Sequence, residues 1–339
     1  MRVWQVDRWG MDALACVERP SVVPGPGEVK LRMLACSLNY RDWLVVRGKY
    51  NPSFPLPLVP CSDGVGEIVA VGPGVRHWTV GQRVIGAFAP FWEHGEPERA
   101  LIRETLGGPL QGTLSEELVL PAGGIVEAPE YLSDAEAATL PCAALTAWSA
   151  LFTYGGLVPG QTVLVQGSGG VSIFALQFAK AAGCRVIATT SADDKASRLR
   201  ALGADEVIDY VQTPAWGRRA RELAGGRGVD IVIEVGGAQT LDESIQAIRP
   251  GGTISLIGIL SGAEKALPLT RILMSNIRLQ GILVGHRAGL EAMCRFLHTT
   301  QLRPVVSDRF TFDQVPEALE HLGAGKHFGK IAIEVWDGR

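Results

Sequence analysis

Residues 162–190 constrain the fold more than any other stretch of the chain. A short apolar run, Val163-Leu164-Val165, breaks into Gly167-Ser168-Gly169-Gly170-Val171-Ser172. Ile173, Leu176, Gln177 and Ala181 then recur at helical spacing up to Gly183, and a second apolar run follows at Val186-Ile187-Ala188. Strand, glycine turn, helix, strand is the βαβ arrangement that binds a dinucleotide. Gly167 permits the tight turn and Gly169 lets the backbone approach a pyrophosphate, while the helix N-terminus offers N–H groups to that anion. Ser172 replaces the third glycine of the usual fingerprint, so the glycines alone are a weak signal. Their place after a strand and before a helix makes them specific.

At 339 residues the chain has room for a second domain beside this one. A hydrophobic fraction of 47% with 20% charged residues fits a globular protein with a substantial core. The net charge of −3, with acids and bases interspersed, gives no basic surface for nucleic acid. No apolar window is long enough for a membrane span. The N-terminus, Met1-Arg2-Val3-Trp4-Gln5-Val6-Asp7, reads as a strand without a signal-peptide core, and we expect a cytoplasmic protein. Cysteines at 16, 36, 61, 142, 184 and 294 form no CxxC pair, which suits reduced thiols and not a disulfide framework.

Residues 1–125 read mostly as β. Strands are expected at 29–35, 64–72, 81–86 and 115–121, divided by turn signals such as Pro24-Gly25-Pro26-Gly27, and together they suggest a barrel-like unit. Residues 89–112 lack periodicity and read as a surface excursion. Ser133 and Glu136 form a capping box that opens an alanine-rich helix, interrupted at Pro141 and resumed over 143–152. Beyond it, helices at 193–202, 216–224 and 241–248 alternate with strands at 206–209, 230–235, 253–257 and 277–284. Those strands are continuous apolar runs, as in a doubly wound parallel sheet covered on both faces. After helices at 289–299 and 315–322, the strand 331–335 returns to the character of the first domain.

Taken in order, several segments resemble the medium-chain dehydrogenase/reductase superfamily. They are Asn39-Tyr40-Arg41-Asp42 with Arg47-Gly48, the strand and turn of 64–74, residues 142–148, the glycine turn, Arg249-Pro250-Gly251-Gly252-Thr253, and Phe328-Gly329-Lys330-Ile331. The resemblance covers essentially the whole chain. It implies an α/β protein made of a GroES-like, β-rich catalytic domain over 1–130 and 287–339 and a Rossmann domain over 131–286. It also implies hydride transfer with a nicotinamide cofactor, and a homodimer formed through the strand at 277–284.

Zinc-dependent members of the superfamily hold a catalytic metal on Cys, His and Cys. Asn39 stands where the first Cys would be and Ser62 where the His would be, leaving Cys142 alone at the third position. One thiolate does not make the three-ligand site that catalytic zinc needs. The cysteine-rich structural zinc lobe is also missing from 89–112. A rearranged set of Cys61, Asp63 and Cys142 is the alternative. The better match is the zinc-free branch, with its quinone oxidoreductases and enoyl reductases.

Without a metal, the easier acceptor is a quinone or an α,β-unsaturated carbonyl, because the charge left by hydride addition moves to an oxygen that hydrogen-bond donors can hold. The expected substrate is an apolar carbonyl compound or quinone of small size. Asn39, Tyr40, Asp42 and Asp63 are the candidate catalytic residues. Asn39 is the leading oxyanion donor, Tyr40 or a water the proton source, and Asp42 an orienting partner of Arg41 or Arg47. Asn39 and Asp42 could equally fix their own loop through backbone hydrogen bonds. Two further readings stay open: an alcohol dehydrogenase or ketone reductase, and a nucleotide-binding relative without turnover.

The resemblance places Thr146 beside the nicotinamide and assigns Gly167, Gly169, Gly170, Val171, Gly236, Gly258 and Lys330 to the cofactor. An NAD enzyme usually carries an acid at the end of the second strand, for the ribose 2′-hydroxyl. Thr190 occupies that position, and Ser191, Lys195 and Tyr210 follow at the spacing of NADPH-binding relatives. NADPH is therefore expected, with NADH possible. The alternative makes Ser191 a helix cap with Asp194 and Lys195 a solvated charge, and Asp193 and Asp194 add negative charge against a 2′-phosphate.

Overall fold

The computed structural model describes residues 1–336, which divide between two units: 1–145 with 285–336, and 146–284. The first unit begins with an antiparallel pair, β1 (Arg2–Val6) and β2 (Leu14–Glu18). β3 (Glu28–Leu38) follows, and it buries Val29, Leu31, Met33 and Ala35 while Lys30 and Arg32 lie on its other face. That alternation is the two-residue period of a strand with one covered face. Past Ala35 every position is buried, so the strand ends deep in the unit. There it turns into α1 (Tyr40–Val46), whose N-cap is Asn39.

β4 (Asp63–Val71), β5 (Arg83–Gly86), β6 (Glu117–Pro121) and β7 (Ile125–Glu127) complete the N-terminal part of the sheet. The stretch 89–112 carries one short 3-10 turn, Leu101–Arg103. Its middle is exposed as expected, but its end is not a surface excursion. Thr105 and Leu106 are buried, and the buried Arg41 donates to the carbonyls of Leu106 at 2.8 Å and Gly108 at 3.2 Å.

The capping box of Ser133 and Glu136 opens α2 (Asp134–Ala137), and the helical path continues through π-type turns on either side of α3 (Leu145–Trp148). The expected boundary is residue 130; by contacts the first unit extends to Leu145. Arg83 contributes to this, donating from Nε to Asp134 at 2.7 Å and from its terminal nitrogens to Pro129 O and Leu132 O, so 129–134 is tied to the β-rich unit.

The second unit is a parallel six-stranded sheet. Its chain order is β8 (Thr162–Gln166), α4 (Gly170–Ala181), β9 (Arg185–Thr190), α5 (Asp193–Ala201), β10 (Glu206–Asp209), α6 (Trp216–Leu223), β11 (Val229–Glu234), α7 (Leu241–Ala247), β12 (Ile248–Leu256), α8 (Leu269–Met274) and β13 (Arg278–Gly281). In space the strands run β10-β9-β8-β11-β12-β13, with every pair parallel. All six residues of β11 are buried, as a strand covered on both faces requires. The order reverses between β8 and β11, and ligands of such sheets bind outside the strand C-termini at that switch point.

From residue 285 the chain rejoins the first unit through α9 (Arg287–Thr300), β14 (Val306–Thr311), α10 (Val315–Gly323) and β15 (Lys330–Glu334). Its sheet order is β14-β15-β3-β4-β5-β7, with β6 also on β3. β15 runs antiparallel to β3 with Ile331 opposite Leu38. By contacts the chain rejoins the first unit at Gly285, beside the expected 287. Residues 337–339 of the expected range lie outside the described residues.

Candidate functional site

The end of β3 and the start of β15 bring the candidate catalytic residues of the first unit together. Gly329 makes the turn into β15 with φ of +80°, a conformation that favours glycine, and a Cβ there would lie 2.5 Å from Val305 O. The strand register then sets Lys330 beside the junction of Leu38 and Asn39. Its ammonium, 3% exposed, donates to Leu38 O and to Asn39 Oδ1, each at 2.6 Å. Asn39 Nδ2 points towards Ser62 Oγ at 3.4 Å, and Ser62 donates in turn to Asp63 Oδ1 at 3.0 Å.

Asp63 is fully buried, its Oδ2 lies 3.7 Å from Lys330 Nζ, and that oxygen accepts no hydrogen bond among the described residues. Burial pushes its carboxyl up to about 6, against the opposing pull of the Lys330 charge and the Asn39 amide. Asp42, also fully buried, accepts from the backbone N–H of Asn39 at 2.8 Å and sits 3.7 Å from Arg41. Burial raises its carboxyl as well, with Arg41 opposing. Asp42 therefore fixes the Asn39 backbone at the head of α1, the bond that the loop-fixing alternative expected. Its partner is Arg41; Arg47 instead stacks on Trp43, 4.4 Å from the ring centroid.

Tyr40 is half-exposed, its ring 5.5 Å from that of Trp43. Cys142 is partly buried and its thiol is raised by desolvation. Two parts of this site are hidden in the sequence: Ser62 stands there only as a lost ligand, and the Leu38 carbonyl carries no signal in its residue type.

In the second unit the residues expected at the nucleotide gather along one edge of the sheet. Gly167, Thr190, Gly236 and Gly258 all follow or end parallel strands at their C-terminal side. Gly167 has φ of +71°, and neither it nor Gly169 has any atom within 4 Å of an added Cβ. No side chain caps α4 at Gly169, so the helix that Gly170 and Val171 begin keeps its N–H groups for an anion. Open space over glycines at an uncapped helix N-terminus fits a pyrophosphate.

Thr190 ends β9 opposite Asp209, and the Tyr210 N–H donates to Thr190 O at 3.0 Å, so Thr190 and Tyr210 are neighbours. Ser191 is exposed, and it does not cap α5: the N-cap is Ala192, with no side-chain cap bond. Lys195 lies in the first turn of α5, and the buried Thr146 lies in α3. Gly258 closes on Val235, where a Cβ would lie 2.3 Å from the carbonyl oxygen. Lys330, expected at the cofactor, belongs to the first unit, where its ammonium holds Asn39.

An unanticipated network orders the loop after β11. The fully buried Glu234 accepts from the N–H groups of Gly236 at 2.8 Å and Gly237 at 2.9 Å, from Thr240 Oγ1 at 2.6 Å, from Gln166 Nε2 at 2.7 Å and from Ser244 Oγ. A lone acid closing the apolar run Ile231-Val232-Ile233 was the available signal.

The donor set does not fit zinc. Asn39 commits its oxygen to Lys330, and the Cys61 thiol faces Ser37 O at 3.4 Å with its ionisation opposed by burial. Among the described residues, no group of three or more His, Cys, Asp or Glu is placed to hold a metal ion.

A β-rich unit split around a doubly wound nucleotide-binding sheet defines a two-domain dehydrogenase fold. Family models agree: residues 25–130 match the alcohol dehydrogenase GroES-like domain and 170–299 the zinc-binding dehydrogenase domain. The chain is 41% identical over 316 residues to the zinc-type alcohol dehydrogenase-like protein C1773.06c of Schizosaccharomyces pombe, covering 91% of each. It is 32% identical over 318 residues to the acryloyl-coenzyme A reductase of Metallosphaera sedula, covering 91% of this chain and 93% of that protein. A crystal structure of an NAD-dependent alcohol dehydrogenase superposes with a TM-score of 0.90 at 36% identity, covering 99% of this chain and 100% of the other. This chain belongs to the medium-chain dehydrogenase/reductase superfamily and is an NAD(P)H-dependent oxidoreductase.

Proposed function

We propose that this chain reduces an activated C=C bond, that of an α,β-unsaturated carbonyl compound or a quinone, with NADPH and without a catalytic metal. The observation that carries the reading is the pairing of Lys330 with Asn39, the residue that stands where metal-dependent members need their first Cys. Asn39 supplies amide N–H groups and Lys330 a buried positive charge close behind them. Together they make an electropositive spot for the oxygen that gains charge as the substrate is reduced. The 32% identical relative named as an acryloyl-coenzyme A reductase supports an acceptor of this kind, while the zinc-type name of the fission-yeast relative favours the ketone-reductase alternative.

When bound, the reduced nicotinamide supplies the hydride. Gly167, Gly169 and the N-terminus of α4 hold the pyrophosphate, and the buried Thr146 borders the ring. Asp42 fixes the Asn39 backbone and Lys330 its side chain. Tyr40, half-exposed, is the candidate for returning a proton. NADPH is favoured over NADH because the neutral Thr190 removes the repulsion an acid would exert on a 2′-phosphate, while Ser191, Lys195 and Tyr210 gather at the same strand end. Lys195→Ala should raise the KM for NADPH far more than that for NADH; equal effects on both would remove this argument.

An assay following NADPH oxidation with enones, enoyl thioesters, quinones and ketones tests the acceptor class directly. Turnover of the conjugated acceptors supports the reading, and turnover of simple ketones alone would replace it with the alcohol dehydrogenase alternative. Free thiols throughout the chain suit a cytoplasmic enzyme, which cell fractionation would check.

The partner expected is a second copy of the chain. Among the described residues β13 bonds β12 alone, which leaves its outer edge open, and the adjoining α8 exposes Leu269, Leu273 and Met274. Light scattering should report a dimer that Leu273→Asp with Met274→Asp converts to monomer; a monomeric parent would dismiss the pairing.

A further inference from the structure

We infer that Lys330 is a positioning residue for Asn39: its ammonium pins the amide oxygen so that Asn39 can present only N–H groups to the reacting oxygen. The inference rests on the reading of Asn39 as the oxyanion donor and adds the device that makes it one. It replaces the nucleotide contact that the family pattern suggests for this lysine.

An asparagine amide has an oxygen and a nitrogen of nearly the same shape, and it can turn either end towards a ligand. An unconstrained Asn39 would spend part of its time offering an acceptor to a developing anion. A lysine ammonium carries three donors and no acceptor. With Lys330 Nζ 2.6 Å away, only the oxygen of Asn39 can face it, so the orientation follows from the chemistry of the pair.

Three further observations make the constraint firm. Lys330 is 3% exposed, so its charge needs protein acceptors, and Leu38 O supplies another at 2.6 Å. The strand register fixes Lys330, because Ile331 lies opposite Leu38 and the Ser37 hydroxyl donates to Ile331 O at 2.8 Å. The Asn39 amide faces the Asp63 carboxyl and, at a long 3.4 Å, Ser62 Oγ. The long contact to Ser62 is the one a substrate oxygen would take over. The lysine charge also polarises the amide and strengthens its N–H groups as donors.

A double-mutant cycle tests this in the full-length enzyme, with kcat at saturating acceptor and the Kd for NADPH from fluorescence titration as separate readouts. Asn39→Ala is expected to lower kcat about 100-fold, the scale of a lost oxyanion donor. Lys330→Met should do much the same with the Kd for NADPH unchanged, and the double variant should be no slower than Asn39→Ala alone. Lys330→Gln, whose amide can still donate to Asn39 Oδ1, should recover part of kcat, which a general loss of folding would not allow. Multiplying effects in the double variant would overturn the inference and leave the role of Asn39 standing. A weakened Kd for NADPH with kcat retained in Lys330→Met would return the lysine to the cofactor. Full kcat in Asn39→Ala would remove the inference together with the reading beneath it.

Discussion

Lys330 Nζ and Asp63 Oδ2 lie 3.7 Å apart with both side chains buried, a charge pair that ionises fully only when Asp63 loses its proton. Burial raises Asp63 from 3.8 to about 6, so the folded protein keeps a proton that the unfolded chain releases. The stability this proton contributes is complete below 3.8 and is lost as pH rises through about 6. The ion pair has the opposite dependence, forming only above that range.

The groups facing Asp63 are Lys330, Asp42 and the thiols of Cys36, Cys61 and Cys142, besides the neutral Asn39 and Ser62. Because the ionised carboxylate balances the ammonium that holds Asn39, kcat should fall on acidification with a midpoint near about 6. In Asp63→Asn that acidic limb should vanish. A limb of unchanged midpoint in the variant would assign the titration to another group.

Arg41 holds a second relationship of the same kind. Its guanidinium reaches Leu106 O, Gly108 O and Thr105 Oγ1, lies 4.8 Å from the centroid of Phe88, and faces the buried Asp42. Arg41→Ala leaves those acceptors unpaired and a buried carboxylate without its cation. Equilibrium unfolding should show a loss of about 3 kcal/mol, on the scale of a broken buried pair. A loss within about 0.5 kcal/mol, ordinary for surface sites, would mean that the arginine is not anchoring the segment.

The glycine turn separates folding from binding. Gly169 has φ of −75° and ψ of 173°, open to any residue, and nothing lies within 4 Å of an added Cβ. Gly169→Val should therefore keep stability within about 0.5 kcal/mol of the parent. Its side chain would fill the space assigned to the pyrophosphate, so the affinity for NADPH should fall at least about tenfold. Unchanged affinity would place the nucleotide elsewhere.

Much of this architecture was legible in the chain because burial and periodicity write it there. The run Val163-Leu164-Val165, the glycines after it and the capping box at Ser133 each specify their own local structure. The site was legible only in part. Asn39, Asp42 and Asp63 stood out as polar residues in a family pattern, but nothing near Lys330 in sequence points to Asn39, 291 positions away. Only the antiparallel register of β15 on β3 joins them. Glu234 is a different case: it stands out as an acid closing an apolar run, and all its partners but Gln166 lie within ten residues of it. Where one unit passes into the next is set by side-chain reach, as when Arg83 ties Asp134 to the β-rich unit.

The account stands on protein hydrogen bonds and the Lys330 charge replacing a metal at the developing anion. Its most direct test is the metal content of the active enzyme, measured alongside turnover of an enoyl substrate before and after exhaustive chelation. Well below one transition-metal ion per chain and an unchanged rate after chelation is the predicted result. One tightly held ion per chain, with activity lost on its removal and restored on its return, would contradict it.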